Sequence, residues 1–264
     1  VKSEQNPLGP SFDALFLFKK GVKSATMKMI LNVLFICSFT VALSPVADTS
    51  FEYRDFYNHM KTMFNECTLD GVLNLEAFEV AMIGYSNIKG KNILSRNDVI
   101  TIIDYTRPST DRRFYVIDLE AKRLLFNTYV SHGKYTGDND ARDFSNQRGT
   151  KKSSLGFYVT RDAFYGKHNY SLDLDGIDTS FNDNARVRGL IVHGAWYVSE
   201  EMKKKYGRMG KSWGCPAVPL DEARAIIDAI KNGSCLFIYF NDDEYLKKSK
   251  YLELKSAIEN KEQN

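Results

Sequence analysis

The sequence is short of the features that mark several large function classes. Its 264 residues include four cysteines, far too few for a scaffold built on disulfides. No C-x-x-C or H-E-x-x-H spacing occurs, so the usual zinc signatures are missing. Charge of one sign is scarce. With 36 Lys and Arg against 33 Asp and Glu, the net +3 is too weak for the basic stripe of a nucleic-acid binder. No apolar run reaches the roughly 18–20 residues that a membrane-crossing helix needs. Internal repeats and low-complexity tracts are lacking as well. What is present, 43% hydrophobic and 26% charged residues, describes a folded chain with a sizeable core.

One apolar stretch stands near the start. Ile30–Leu43 (ILNVLFICSFTVAL) covers 14 residues; Lys19, Lys20, Lys23 and Lys28 precede it, and small residues follow through Ala47. A basic n-region, a short h-region at 30–43 and a small-residue exit describe a secretory signal peptide, with a buried core helix as the alternative. Val1 opens the chain and Met27 and Met29 lie just ahead of the apolar run. Residues 1–26 are therefore either an over-extended reading frame or a long n-region. Residues 1–47 are expected to be an upstream leader plus signal peptide. They hold five Lys against Glu4 and Asp13, a net of +3, so residues 48–264 sum to zero (36 − 33 = +3 for the whole chain). The basic excess belongs to the leader and not to a binding surface. Export implies the periplasm or cell envelope, and no membrane contact for the mature chain unless the signal stays uncut.

Residues 48–95 read as a helical preface. Phe56, Met60, Met63 and Phe64 recur at helical spacing after a Ser50 cap candidate, and Leu75, Phe78, Met82 and Tyr85 do so after Asn74. Asp70-Gly71 between them imitates an EF-hand loop, but that register puts Thr68 third and Ala77 twelfth, where the bidentate carboxylate belongs; a plain turn is expected. From residue 96 the texture is β. Val99–Tyr105, Arg113–Leu119, Leu124–Ser131, Gly156–Thr160, Leu190–His193 and Cys235–Phe240 are strand candidates, with Glu120–Arg123 a hairpin-sized gap. Asp221–Lys231 is a helix with Ala223, Ile226, Ile227 and Ile230 on one face. Residues 241–264 read as a charged, solvated tail. The whole is a mainly β domain with α (α+β) at 96–240 behind a helical preface.

The richest chemistry runs from Arg188 to Pro219 (RGLIVHGAWYVSEEMKKKYGRMGKSWGCPAVP). His193 ends an apolar strand. Cys215 follows Gly214 in a tight turn, where free backbone amides lower a thiol pKa and receive an oxyanion. A nearby imidazole supplies the base that makes the thiolate. His132 before Gly133 reads as a strand terminus more than a second base, and His59 as structural.

His193, followed after 18 residues by Ser212-Trp213-Gly214-Cys215, resembles the catalytic motif of the L,D-transpeptidase (YkuD-like) family. The stretch FYVIDLEAKRLLFNTYVSHGK (114–134) is similar to that family's opening hairpin and following strand. Ser153–Tyr158 is similar to its Pro-x-Gly-x-Phe block. FSN (144–146), YGKH (165–168), NDNAR (182–186) and GCPAVP (214–219) extend the likeness to the murein L,D-transpeptidase catalytic domain proteins of Gram-negative bacteria, over roughly 75–240.

The resemblance implies an L,D-transpeptidase-like β-sandwich and an exported enzyme that needs no metal or cofactor. Its partners would be peptidoglycan stem peptides, donor and acceptor, and not nucleic acid. Cys215 would be the nucleophile, acylated with loss of terminal D-Ala to form 3→3 cross-links, and His193 the base. Ser212 would orient the imidazole by its carbonyl, its hydroxyl or both, and Gly214, Cys215 and Trp213 would supply the oxyanion hole. Trp213 replaces a His common in the family, and Ala217 an Arg or Asn used on substrate. Another cation must therefore hold the stem carboxylate: Arg188, or by preference Arg208 or Lys211. Tyr165, Lys167 and His168 resemble a lid or substrate loop, and Trp213 would wall the site. A carbapenem is expected to acylate such a cysteine. Hydrolysis through the same pair (an L,D-carboxypeptidase or endopeptidase) and a silent cell-wall binding module are the alternatives. Cys67 and Cys235 are free to pair in an oxidising compartment, although Cys235 in its apolar strand reads better as a core thiol.

Overall fold

The computed structural model describes residues 49–262, so the leader, its apolar segment and Cys37 lie outside the described residues. Two helices come first, α1 (Thr49–Glu66) and α2 (Leu75–Gly90). α1 already runs at Thr49, one residue ahead of the Ser50 cap candidate, and buries Phe56, Met60 and Phe64. α2 starts as expected: the Asn74 side chain accepts from the Glu76 amide, 2.9 Å, satisfying a donor the first helical turn leaves open. Phe78, Met82 and Tyr85 are buried along it, and the ring of Phe64 meets that of Phe78 edge-on at 5.3 Å. Thr68 and Gly71 take positive φ (56° and 70°) between the helices.

The strands are β1 (Val99–Asp104), β2 (Phe114–Asp118), β3 (Arg123–Thr128), β4 (Gly156–Gly166), β5 (Asn169–Gly176), β6 (Ile191–Ala195), β7 (Ala217–Pro219) and β8 (Cys235–Tyr239). Helices α3 (Ala185–Arg188), α4 (Glu200–Tyr206), α5 (Ala223–Ile230), α6 (Asp243–Lys248) and α7 (Leu254–Glu262) complete the order. All eight strands share one mixed sheet, β3-β2-β1-β8-β4-β5-β6-β7. β1–β8 and β6–β7 are parallel and the other pairs antiparallel. The chain leaving β3 at one edge crosses to β7 at the other, where the Ser131 amide donates to Ala217 O, 2.8 Å, and the Lys134 amide to Ser212 O, 2.8 Å. This curls the sheet back on itself into a near-barrel. It also removes an open edge that would otherwise invite pairing with another chain.

α5 buries Ala223, Ile226, Ile227 and Ile230, the face read from the sequence. Each isoleucine contributes roughly 1.5–3 kcal/mol by leaving water. Cys67 and Cys235 are both free and buried, and burial pushes the Cys235 thiol up, as suits a core thiol.

The C-terminal segment corrects the expectation of a solvated tail. α6, capped by the Asp242 carboxylate on the Tyr245 amide (2.8 Å), and α7 bury Tyr245, Leu246, Tyr251, Leu252, Ala257 and Ile258. Asn87 of α2 donates to Tyr251 O and Glu253 O (2.8 and 2.9 Å). Tyr245 and Ser249 donate to the buried Asp178 carboxylate, 3.0 and 2.6 Å, which also accepts the Phe157 amide at 2.8 Å. The lysines and glutamates between these positions conceal an apolar set with no single helical period. Residues from Tyr53 onward therefore form one compact unit, in which preface, sheet and tail share a core. Among the described residues no helix is long and apolar enough to cross a membrane.

Candidate active site

β6 carries His193, paired with Ser171 of β5 on one side and with Ala217 of β7 on the other. The imidazole is buried and its Nδ1 lies 3.0 Å from Gly194 O. A carbonyl only accepts, so Nδ1 carries the proton and Nε2 keeps the lone pair of a base. Burial holds the His193 pKa below its ordinary value. The Gly194 bond opposes this, and the nearby His168 and Lys167 add to the lowering.

Cys215 lies two residues before Ala217, in a turn that starts at Ser212. The Ser212 hydroxyl accepts from the Gly214 amide, 3.1 Å, and donates to Cys215 O, 2.6 Å. Gly214 takes φ +123°, a region closed to other residues, and an added Cβ would stand 2.7 Å from Lys152 O. Ser153 braces the turn from behind, its hydroxyl accepting from the Gly133 amide (3.1 Å) and donating to Gly214 O (3.2 Å). The Ser212 amide donates to His132 O, 3.0 Å.

The half-buried thiol points to Gly189 O at 3.7 Å and makes no hydrogen bond to His193. Burial raises its pKa above the ordinary thiol value, against the amides of Ile191 and Cys215 and the charges of Arg188 and Lys167, which lower it. Thiol and imidazole are therefore both neutral at rest. Arg188 forms no ion pair among the described residues. Its guanidinium donates to Ser145 O (2.6 Å), Ser154 Oγ and Lys152 O, and its Nη2 stands 3.2 Å from where a Gly214 Cβ would be.

Three of the expected contacts differ from those the structure shows. Gly194 O, and not Ser212, stands against His193 Nδ1; the Ser212 carbonyl accepts the Lys134 amide and its hydroxyl serves the turn. Gly214 does not offer a free amide, since Ser212 Oγ takes it. Arg208 and Lys211 are not unattached cations, because both converge on Asp138 Oδ1 at 3.0 and 2.6 Å. Trp213 is 69% exposed, with Lys151 Nζ 4.5 Å from its ring, so it stands at the rim.

Lys167 and His168 form the turn between β4 and β5, with Asn169 at φ +60° in the left-handed position that closes such hairpins. His168 stacks on His193, ring centroids 4.3 Å apart and planes at 28°. Tyr165 points away to α5, where Arg224 donates to its hydroxyl at 2.9 Å.

A buried set behind the nucleophile turn has no counterpart in the motif reading. Arg113, fully buried, donates to Val130 O (2.9 and 3.1 Å), Arg107 O (2.8 Å) and His132 Nδ1 (2.9 Å), and lies over the Tyr105 ring at 4.7 Å. His132 is thereby fixed as the neutral Nε2–H tautomer, and burial with the Arg113 charge lowers its pKa to about 3. His132 is part of this buried set, 1% exposed. No sequence signal separates Arg113 from its exposed neighbour Arg112.

Residues 70–239 match the family model of the L,D-transpeptidase catalytic domain. The chain belongs to that family. No curated protein matches it. Among solved structures, an L,D-transpeptidase from Mycobacterium smegmatis shares 14% identity over 54% of this chain and 59% of that one, TM-score 0.35. The helical cell shape determining protein Pgp2 from Campylobacter jejuni shares 15% over 66% and 60%, TM-score 0.37. L,D-transpeptidase 3 from Mycobacterium tuberculosis shares 14% over 54% and 61%, TM-score 0.32. The chain thus spans roughly three fifths of the length of these solved chains. As an L,D-transpeptidase domain, it has the expected α+β fold, with the near-barrel sheet behind a helical N-terminal segment.

Proposed function

We propose that this L,D-transpeptidase domain is an exported cysteine acyltransferase of peptidoglycan stem peptides, with Cys215 as nucleophile and His193 as base. The observation that carries the reading is the His193 Nδ1–Gly194 O bond, which leaves Nε2 unprotonated two residues in register from the Cys215 turn. The signal-like segment at 30–43 supports export to the cell envelope.

In the proposed reaction the Cys215 proton passes to His193 Nε2 as the sulfur attacks the carbonyl of the third stem residue. The bond to terminal D-Ala breaks, and the leaving amine takes the proton back from His193. An amine of a second stem then attacks the thioester, giving a 3→3 cross-link and restoring the thiol. With the Gly214 amide committed, the oxyanion falls to the amides of Cys215 and Trp213, which have no backbone acceptor among the described residues. Arg188 offsets the burial that disfavours the thiolate. Lys167, whose charge reaches both Cys215 and His193, takes over from Arg208 and Lys211 as the cation for the stem carboxylate.

The test is covalent labelling. A solved relative, LdtMt1, is described in complex with imipenem. Incubating this protein with a carbapenem should add the drug's mass to wild type and nothing to Cys215→Ala. No adduct on wild type, or an adduct on Cys215→Ala, sinks the assignment. His193→Ala should slow acylation by about 10²–10⁴-fold. Purified stems then separate 3→3 dimers from trimmed tripeptides, and so transfer to an amine from transfer to water.

A further inference from the structure

His168 reaches the base from outside the motif. It is one of two residues at the tip of the β4–β5 hairpin, and three residues on, Ser171 is the β5 partner of His193 itself. The tip is not a free flap. Tyr170 donates to Asp228 Oδ1 of α5 at 2.6 Å, Lys231 Nζ reaches the same tyrosine oxygen at 3.3 Å, and Arg224 of α5 holds Tyr165. Tyr165 and Tyr170 lie ring to ring at 5.2 Å. The arms of the hairpin are thus tied to α5, a helix whose apolar face is buried in the core, and the tip stays over β6. There the His168 ring meets that of His193 at 4.3 Å and 28°.

We propose that His168 is a positioning residue, whose ring packs on the His193 imidazole, holds it at the tilt set by the Gly194 bond and covers its outer face. The proposal rests on His193 being the base. A ring held by one hydrogen bond can still swing about that bond; a second ring stacked on its face removes that freedom. Mispositioning a catalytic group by an ångström commonly costs about 10²-fold in rate. The titratable and charged groups around the pair are Lys167 on the same turn, Cys215 on the nucleophile turn and Arg188 at the end of α3. Asp228 and Arg224 on α5, and Lys231 just past its end, hold the hairpin. Burial and Lys167 keep the His168 pKa below its ordinary value, so at neutral pH the two rings stack as neutral groups.

The experiment compares His168→Ala and His168→Phe in the full chain by two readouts. Ring-nitrogen NMR follows the titration of His193, one of four histidines. Steady-state kinetics on a tetrapeptide stem give kcat and KM separately. His168→Ala should move the His193 titration upward toward 6.5 and lower kcat by about 10–100-fold with little change in KM. His168→Phe, which keeps a ring on the stack, should restore the low titration and most of kcat. An unmoved titration in His168→Ala overturns the proposal. So does a phenylalanine variant that behaves like alanine, or a change confined to KM, which would make His168 a substrate contact. If wild type acylates with neither stem nor carbapenem but the titration moves as stated, the positioning holds and the transpeptidase reading fails.

Discussion

Gly214 is where the fold leaves the nucleophile turn least room, so Gly214→Ala is the sharpest probe of how that turn is held. The residue sits at φ +123°, and a Cβ there would stand 2.7 Å from Lys152 O, well inside the roughly 3.5–4.0 Å of a comfortable contact. Lys152 cannot simply retreat: next to it the Ser153 amide donates to Thr136 Oγ1 at 2.7 Å, and Ser153 O accepts the Ser145 amide at 2.9 Å. Strain at a sparsely populated backbone angle costs about 1–3 kcal/mol, and forced overpacking about the same again. The expected loss is about 2–6 kcal/mol, a fall in Tm of roughly 4–24 °C for a chain of this size. Any surviving fold must shift the turn by most of an ångström, which should slow carbapenem acylation about 10²-fold. Gly149→Ala is the control. Gly149 also has positive φ (81°), but nothing lies within 4 Å of an added Cβ, so it should cost only about 1–2 kcal/mol and leave acylation alone. Thermal melts and the time course of the mass adduct measure both variants. A Gly214→Ala protein that melts with Gly149→Ala and acylates like wild type would refute the account of the turn.

Three further outcomes follow from burial. The acylation rate should fall on the acid side only below pH 6.5, because the His193 pKa is lowered, and on the alkaline side only above 9, because that of Cys215 is raised. A plateau lies between, and a pH–rate profile with its acid limb above 6.5 contradicts the neutral pair. His132, with a pKa of about 3 in the fold, stays neutral while the unfolded chain binds a proton below 6.5. Stability is therefore lost as pH falls from 6.5 to about 3, by about 1.4 kcal/mol per unit at most; urea midpoints across that range should flatten in His132→Gln. Deleting residues 242–264 removes the buried Tyr245, Leu246, Tyr251, Leu252 and Ile258, each worth roughly 1.5–3 kcal/mol against a total stability of about 5–15, and uncovers the Phe157, Phe237 and Asn87 they pack on. The truncated chain should have no cooperative melt, and a sharp transition by circular dichroism would show that the tail is dispensable.

The elements that sequence reading located are those whose burial is one-sided or complete. β1, β2, β8 and α5 carry apolar residues at most positions or on one clear face. β5 escapes sequence reading although Leu172 and Leu174 alternate inward, because Asp173 and Asp175 follow them in turn and the strand reads as a loop. The outer half of β4 (Arg161–Gly166) was missed for the opposite reason: it is largely exposed and has no apolar face to show. β7 has three residues, too few for any period, and is a strand only through its parallel pairing with β6, a distant segment. The tail was misjudged because its buried positions fall in two helices and the segment joining them, so no single period gathers them.

At the site, the chemistry was legible and its wiring was not. A Cys after Gly and a His at a strand end are local signals, and they fall on the paired β6 and the turn into β7. Which carbonyl orients the imidazole depends on which one the strand brings beside Nδ1, and here that is Gly194 O. Ser212 O instead accepts from Lys134, a partner 78 residues upstream (212 − 134), and a motif spacing carries no trace of that bond. The same holds for charge. Arg208 and Lys211 looked available because Asp138 is distant in sequence, and Arg188 looked ordinary because its lack of a carboxylate shows only in space. That lack is the more consequential fact. A guanidinium whose bonds all go to neutral oxygens keeps its full charge for the sulfur beside it. Arg188→Gln should therefore raise the Cys215 pKa further and slow alkylation by iodoacetamide at pH 8. Arg188→Lys, which keeps the charge but not the fork, should recover part of the rate, and equal rates in wild type and Arg188→Gln would show that the charge does not act on the thiol.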